Sequence, residues 1–168
     1  MENLPKNWAL SNIENAVKFV GGGTPSKSNE NYWNGEIPWA SVKDFKKNRI
    51  LKKTQDFITN EGLENSSAKL ASKGELLLIT RMSPGRTVIT DIEVAINQDL
   101  KIIRPKIDLS LSFIKYWFQV NIPLIESLST GTTVKGIRID VLNTLSIPTP
   151  NKEEQTEIVR RVEALFVK

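Results

Sequence analysis

Two Asp-x-Lys triplets, Asp44-Phe45-Lys46 and Asp99-Leu100-Lys101, have the form that metal-dependent nucleases use. Such a site needs a second carboxylate on a neighbouring strand to share the metal, and Asp91 or Glu93 is the candidate beside Asp99. A three-residue pattern recurs by chance in most charged chains, so solvated carboxylates are the expected reading and no metal ligand is assigned. Gly21-Gly22-Gly23-Thr24-Pro25-Ser26-Lys27-Ser28 superficially follows a phosphate-binding loop. Ser26 stands where the second glycine is required, Pro25 has no amide to donate, and a helix is expected ahead of the loop where the mechanism needs a strand. The sequence holds no histidine and no cysteine. That removes the imidazole base, the Ser-His-Asp triad, the His-metal nuclease and the thiolate metal site. A methyltransferase would need a glycine-rich cofactor loop after a strand and a Pro-Pro-aromatic motif, and neither occurs. No catalytic residue and no cofactor are expected.

What remains is charge suited to a polyanion. Lys43, Lys46, Lys47, Arg49, Lys52 and Lys53 form a basic tract opposed locally only by Asp44. DNA phosphates repeat at short intervals, so several close cations release several counterions at once. A solvated turn between two elements would read the same way. Tyr32, Trp33 and Trp39 flank the tract. Core packing suits Trp39, beside Ile37, better than Trp33, beside Asn34-Gly35. Arg81 and Arg86 bracket a turn at Pro84-Gly85, where guanidinium groups suit guanine edges or phosphates and equally suit surface ion pairs. Lys plus Arg outnumber Asp plus Glu by 23 to 19, a net charge of +4, compatible with a nucleic-acid partner without demanding one.

The elements that must position these side chains read as α+β, helices and strands interleaved irregularly in one domain. Ser11-Asn12-Ile13-Glu14 has the capping-box form, and Ile13, Ala16, Val17 and Val20 continue at helical spacing to a stop at Gly21–Gly23. Residues 24–36 read as a polar loop, and Ile37-Pro38-Trp39 as a short extended piece. Thr59–Ala68 reads as a helix weakened by Gly62. Glu75–Arg81, Thr87–Thr90 and Val94–Arg104 read as three strands, with Ser83-Pro84-Gly85 turning the chain after the first. Leu111, Ile114, Trp117 and Phe118 share one face of a core helix over 110–120, and Pro123 opens another. Gly131–Gly136 is a loop. Leu145–Pro150 is strand-like and hands over to a helix capped by Asn151, with Glu154 three residues on.

On that last helix Gln155, Ile158, Val162 and Leu165 follow spacings of 3, 4 and 3, as the a and d positions of a coiled coil do, and Val159 and Phe166 widen the stripe. The pattern stops unfinished at Lys168, so the expected partner is another helix: a second copy of the chain or the missing half of a longer subunit. The expected division is 1–150 for the globular body and 151–168 for a coiled-coil-like helix. The longest apolar runs, such as Leu76–Ile79, are too short to span a bilayer, and Met1-Glu-Asn-Leu-Pro has no secretory pattern. A cytoplasmic protein is expected.

The ordered set of Trp8-x-Leu10, Gly22-Gly-Thr-Pro-Ser26, Tyr32-Trp-x-Gly-x-Ile-Pro-Trp39 with Asp44, Leu76–Arg81 with Gly85, Ile96-Asn-Gln98, Gly131-Thr-Thr133 with Gly136-Ile137, and Leu145-x-Ile-Pro-x-Pro150 with Glu154-Gln155 and Ile158-Val159 resembles the specificity subunit of type I restriction–modification enzymes. The match is to one target-recognition domain and the start of the helix behind it. A full subunit of that family has two such halves in tandem. Thr149 and Asn151 depart from the apolar residues common around the second proline. The resemblance implies a module with no catalytic group that reads one half of a bipartite duplex DNA target, methyltransfer and cleavage belonging to separate modification and restriction subunits. Under it, the residues expected at the DNA are Thr24, Ser26, Lys27, Trp33, Lys43, Lys46, Lys47, Arg49, Arg81, Arg86 and Lys135. The expected helix interface is Gln155, Ile158, Val162, Leu165 and Phe166.

Overall fold

The computed structural model describes residues 4–45 and 50–165. In chain order it has β1 (Ala9–Asn12), α1 (Ile13–Ala16), β2 (Val17–Gly21), β3 (Trp33–Ala40), β4 (Ile50–Leu51), β5 (Asp56–Ile58), α2 (Asn60–Glu64), β6 (Lys69–Ala71), β7 (Leu76–Ile79), β8 (Thr87–Thr90), β9 (Val94–Ile96) and β10 (Leu100–Pro105). There follow α3 (Leu111–Val120), α4 (Ile122–Ser127), α5 (Ile139–Asn143), β11 (Ser146–Thr149) and α6 (Lys152–Ala164). Single 3-10 turns cover Glu30–Tyr32 and Val42–Asp44. A five-stranded sheet runs β2-β10-β7-β8-β4, a four-stranded sheet β5-β3-β9-β6, and β1 pairs with β11. The β3–β9 and β4–β8 pairs are parallel and the other pairs antiparallel. The α+β class is that expected from sequence.

The burial pattern explains the layering. All four residues of β7 are buried, which requires cover on both faces of its sheet, because successive strand side chains point to opposite sides. Leu76 and Leu78 join Ile103 against α3, α4 and α5 through Ile114, Phe118, Ile125 and Leu142. Leu77 and Ile79 join Leu100 and Ile102 against Ala40, Ala71, Val94 and Ile96 of the smaller sheet. The smaller sheet's other face carries Trp39, Ile58 and Ala95, covered by Leu63 of α2. The order of layers is therefore helices, five-stranded sheet, four-stranded sheet, α2.

Several sequence expectations are corrected. The first helix stops at Ala16, and Val17–Gly21 is a strand against β10. The β-branched and aromatic run Val17-Lys18-Phe19-Val20 favours that outcome; one helical turn followed by a strand mimics 3–4 spacing. Ser11 lies in β1, and Asn12 holds the cap position without a side-chain bond. Residues 33–36 are strand and not loop. The segment Val94–Arg104 is two strands, β9 in the smaller sheet and β10 in the larger, broken by a turn at Asn97–Asp99. The turn helix α5 had no strong sequence signal.

The terminal helix begins as expected: the Asn151 side chain accepts from the Glu154 amide at 2.9 Å. Its inner stripe, however, is part of the domain. Gln155 is 2% exposed; its side chain accepts from Ser110 N and donates to the carbonyls of Asp108 and Pro150 at 2.8, 2.8 and 3.0 Å. Ile158 and Val159 pack on the main core, and Tyr116 reaches Glu163 at 3.2 Å. Gln155 is thus an intradomain residue, contrary to the expected helix interface, because a buried amide needs fixed backbone partners such as those it finds here; Ile158 is partly buried against the same core. Val162 is partly buried, Leu165 is 74% exposed, and Phe166 lies outside the described residues.

Candidate nucleic-acid interface

The site is organised where β3 and β9 run side by side, Trp39 opposite Ala95 and Ala40 opposite Ile96. Gly22 and Gly23 cross the end of β9, with Gly23 N donating to Ile96 O at 2.9 Å. A Cβ on Gly22 would strike the carbonyls of Ile96 and Asn97, and one on Gly23 the backbone of Ser67 and Ala68. The glycines therefore permit a close backbone crossing; they are neither the expected helix stop nor a phosphate cradle. Beyond them, two indoles hold the following loop. Trp39, 5% exposed, donates to Gly23 O at 3.0 Å, and Trp33 donates to Ser26 O at 3.0 Å. The rings meet edge to face, 5.2 Å between centroids, an arrangement aromatic pairs prefer. Trp33 takes this position where β3 is irregular: Asn34 has φ 58° and the register with β5 slips between Trp33 and Ile37.

Between these parts lies a cleft of about 630 Å³ whose walls include Thr24, Lys27, Trp33, Lys43, Asp56 and Gln98. Thr24 Oγ1 donates to Gln98 Oε1 at 2.5 Å. Lys43 Nζ sits 2.7 Å from Asp56 Oδ2; that bond to Asp56 outweighs the desolvation that opposes it and, with the charges of Asp56 and Asp44, raises the lysine's pKa above its ordinary value. Lys27 and Ser26 are exposed at the lip, the Ser26 hydroxyl 2.9 Å from that of Ser28.

The Asn97–Asp99 turn links this cleft to the arginines. Asp99 Oδ1 accepts from Arg81 Nη1 at 3.3 Å, and Thr80 reaches Asp99 O through both its amide and its hydroxyl at 2.9 Å. Lys101 Nζ donates to Gln98 O at 2.6 Å; desolvation lowers its pKa, with Asp99 opposing. Arg81 also bridges to Gly136, and Met82 N donates to Lys135 O at 2.8 Å, which brings Lys135 to the same place. Gly85, at φ +91°, turns the β7–β8 hairpin, leaving Arg86 exposed on its return limb. Thr24, Lys27, Trp33 and Lys43 thus share one cleft with Ser26 exposed beside it, and Arg81 and Lys135 join it through the Asn97–Asp99 turn. Lys46, Lys47 and Arg49 lie outside the described residues. Lys52 and Lys53 are exposed and line a second groove, of about 370 Å³, with Asp44.

The two carboxylates with a nuclease-like spacing are engaged in structure. Asp44 accepts from Ser41 N at 2.8 Å and Gln55 N at 2.9 Å, fixing the chain on both sides of the basic tract. Asp99 is taken up by Arg81 and the turn. Among the described residues, no group of three or more acidic side chains is arranged to hold a metal, and none of their helices is long and apolar enough to cross a membrane. Sequence reasoning missed Gln98 and Asp56 as site residues. Gln98 lay within a quoted motif without an assigned role; Asp56 had no local signal, since β5 brings it opposite Trp39.

Comparison with known proteins agrees with this architecture. The family model for the type I restriction modification DNA specificity domain matches residues 5–167. The EcoR124I/EcoR124II specificity subunit of Escherichia coli is 32% identical over 149 residues, covering 84% of this chain and 37% of that protein. The MjaIX specificity subunit of Methanocaldococcus jannaschii is 28% identical over 159 residues, covering 92% and 37%. The chain therefore spans under two fifths of the length of these relatives. The solved HsdS subunit from Thermoanaerobacter tengcongensis shares the fold at TM-score 0.73 and 22% identity over 96% of this chain and 38% of that one. The type IIG restriction endonuclease BpuSI shares it at TM-score 0.63 and 9% identity, over 92% and 26%. The chain belongs to the family of type I restriction modification DNA specificity domains.

Proposed function

We propose that this domain reads one half of a bipartite duplex DNA target and directs separate methyltransferase and restriction subunits to it, performing no chemistry itself. The observation that carries the reading is the family match over residues 5–167. The chemistry of the cleft supports it. Lys27, Lys43 and Lys135, with Lys46, Lys47 and Arg49 of the tract, are suited to phosphates. Arg81 and Arg86 have the planar forks that suit guanine edges or phosphates, and Thr24, Ser26 and Trp33 supply hydroxyls and an aromatic edge between them. Asp44 and Asp99 serve as turn and ion-pair groups in this reading, not as metal ligands.

In this reading residues 1–150 are the recognition body and 151–168 the start of a spacer or dimerisation helix whose root is buried in that body. Partly buried Val162 and exposed Leu165, together with Phe166 of the same sequence stripe, meet another helix, from a second copy or from the other half of a longer subunit. The protein acts in the cytoplasm, where its DNA target is. The test is retention of mixed-sequence duplex by the chain at low salt, together with assays for cutting with magnesium and for methyl transfer with S-adenosylmethionine. Salt-sensitive retention without turnover is expected. Turnover abolished by Asp44→Ala or Asp99→Ala would overturn the binding-module reading.

A further inference from the structure

Two cations of the cleft and its arginine extension are each held by a carboxylate of this same chain. Lys43 lies 2.7 Å from Asp56, and Arg81 3.3 Å from Asp99. In both pairs the acid is the more buried partner: the Asp56 side chain is 35% exposed against 52% for Lys43, and Asp99 15% against 54% for Arg81. The cation is outermost and the carboxylate stands behind it. Among the described residues, the Asp56 carboxylate has Lys43 as its one bonded partner; the contribution of Asp56 to the sheet is made by its backbone, through the Thr54 hydroxyl and the register with Trp39. The charged end of Asp56 is therefore not required to hold β5.

We propose that Asp56 and Asp99 are internal competitors for phosphate, which hold Lys43 and Arg81 back from DNA of the wrong sequence and so lower sequence-independent affinity. The proposal rests on the DNA-recognition reading above. Its physics is that of counterion release. A free lysine that meets a phosphate adds about 0.9 to the slope of log K against log salt. A lysine already neutralised at 2.7 Å releases less, and the carboxylate behind it repels the incoming phosphate. Ion pairs with an exposed cation are weak, so contacts to the right bases suffice to open them, while the phosphate backbone alone does not. Discrimination then comes from subtracting from the non-specific state, which is half of what specificity requires.

The test uses the full chain and a short mixed-sequence duplex, with Kd measured across a salt series for the wild type, Asp56→Asn, Asp99→Asn, Lys43→Ala and the double variant Lys43→Ala/Asp56→Asn. Thermal melts establish that each is folded. Asp56→Asn is expected to bind roughly five- to tenfold more tightly near 0.1 M salt, with a slope steeper by about 0.9. Asp99→Asn should act the same way through Arg81. The gain from Asp56→Asn should disappear when Lys43 is also removed. A folded Asp56→Asn with wild-type slope and affinity overturns the proposal, and so does a gain that persists in the double variant, which would reflect net charge alone. Wild-type retention with unchanged variants sinks this proposal only; failure of every form to retain duplex at low salt sinks the DNA-recognition reading with it.

Discussion

Trp39 and Trp33 divide the work of the cleft between holding and facing. Trp39 buries its ring and satisfies the Gly23 carbonyl; Trp33 is half-buried and closes the Ser26 loop from the cleft side. Trp39→Ala should destabilise the domain by about 3–5 kcal/mol, the range for truncating a buried aromatic, and Trp33→Ala by distinctly less; urea unfolding of both variants measures the difference. That contrast was legible from neighbours alone, Ile37 beside one ring and Asn34-Gly35 beside the other. The role of Asp56 was not, because the register of β3 with β5 makes the partnership and no local pattern records it. Gly22 and Gly23 were visible as special, yet the reason, a backbone crossing over β9, is a tertiary fact. Charge pairing at single residues also contributes to the response to acid. Burial works against ionisation of Glu75, but the Arg104 bond, the Ser72 amide and the Arg104 charge together lower its pKa below 4.5. A depressed carboxylate contributes stability that is complete above the ordinary value and lost as pH falls through the lowered one. Acid melts of the wild type should therefore lose stability below about pH 4.5 more steeply than those of Glu75→Gln; parallel curves would remove the pair from the account.

At the scale of elements, α6 is the instructive case. Its cap and its 3–4 stripe were readable from Asn151 onward, but spacing cannot say which helix or sheet receives a stripe. The buried amide of Gln155 decides it, tying the root of α6 to Asp108, Ser110 and Pro150. Gln155→Ala leaves the buried Pro150 carbonyl without its partner, at about 1–3 kcal/mol, and removes bonds to the Ser110 amide and Asp108 carbonyl, which lie on exposed residues and turn partly to water. A loss of about 2–4 kcal/mol and faster hydrogen exchange along α6 are expected. Leu165→Asp, at the exposed end of α6, should change domain stability by less than about 0.5 kcal/mol while weakening any self-association seen in sedimentation. If Leu165→Asp unfolds the domain, the end of α6 is core and not interface. The first helix failed as a reading for a related reason: one turn of α1 followed by β2 reproduces helical spacing, and only the pairing of β2 with β10 distinguishes them.

Over the whole molecule, the five-stranded sheet is the floor on which everything else is placed. Helices bury one of its faces, the smaller sheet the other, and the chain passes between the two sheets at Asn97–Asp99. That passage is why Thr24 and Arg81, far apart in sequence, meet the adjacent Gln98 and Asp99 on one continuous surface. In the proposed function, this surface gains affinity from phosphates and selectivity from base edges. The most direct test is the methylation pattern written on DNA by a complete type I assembly that carries this domain, compared with the same assembly carrying another member of the family in its place. The account predicts a bipartite methylated motif in which the exchange alters one half and leaves the other untouched. It also predicts that Arg81→Ala relaxes a base of that same half, at a cost of ~1–3 kcal/mol for each bidentate arginine–base pair removed. A motif unchanged in both halves by the exchange would contradict it.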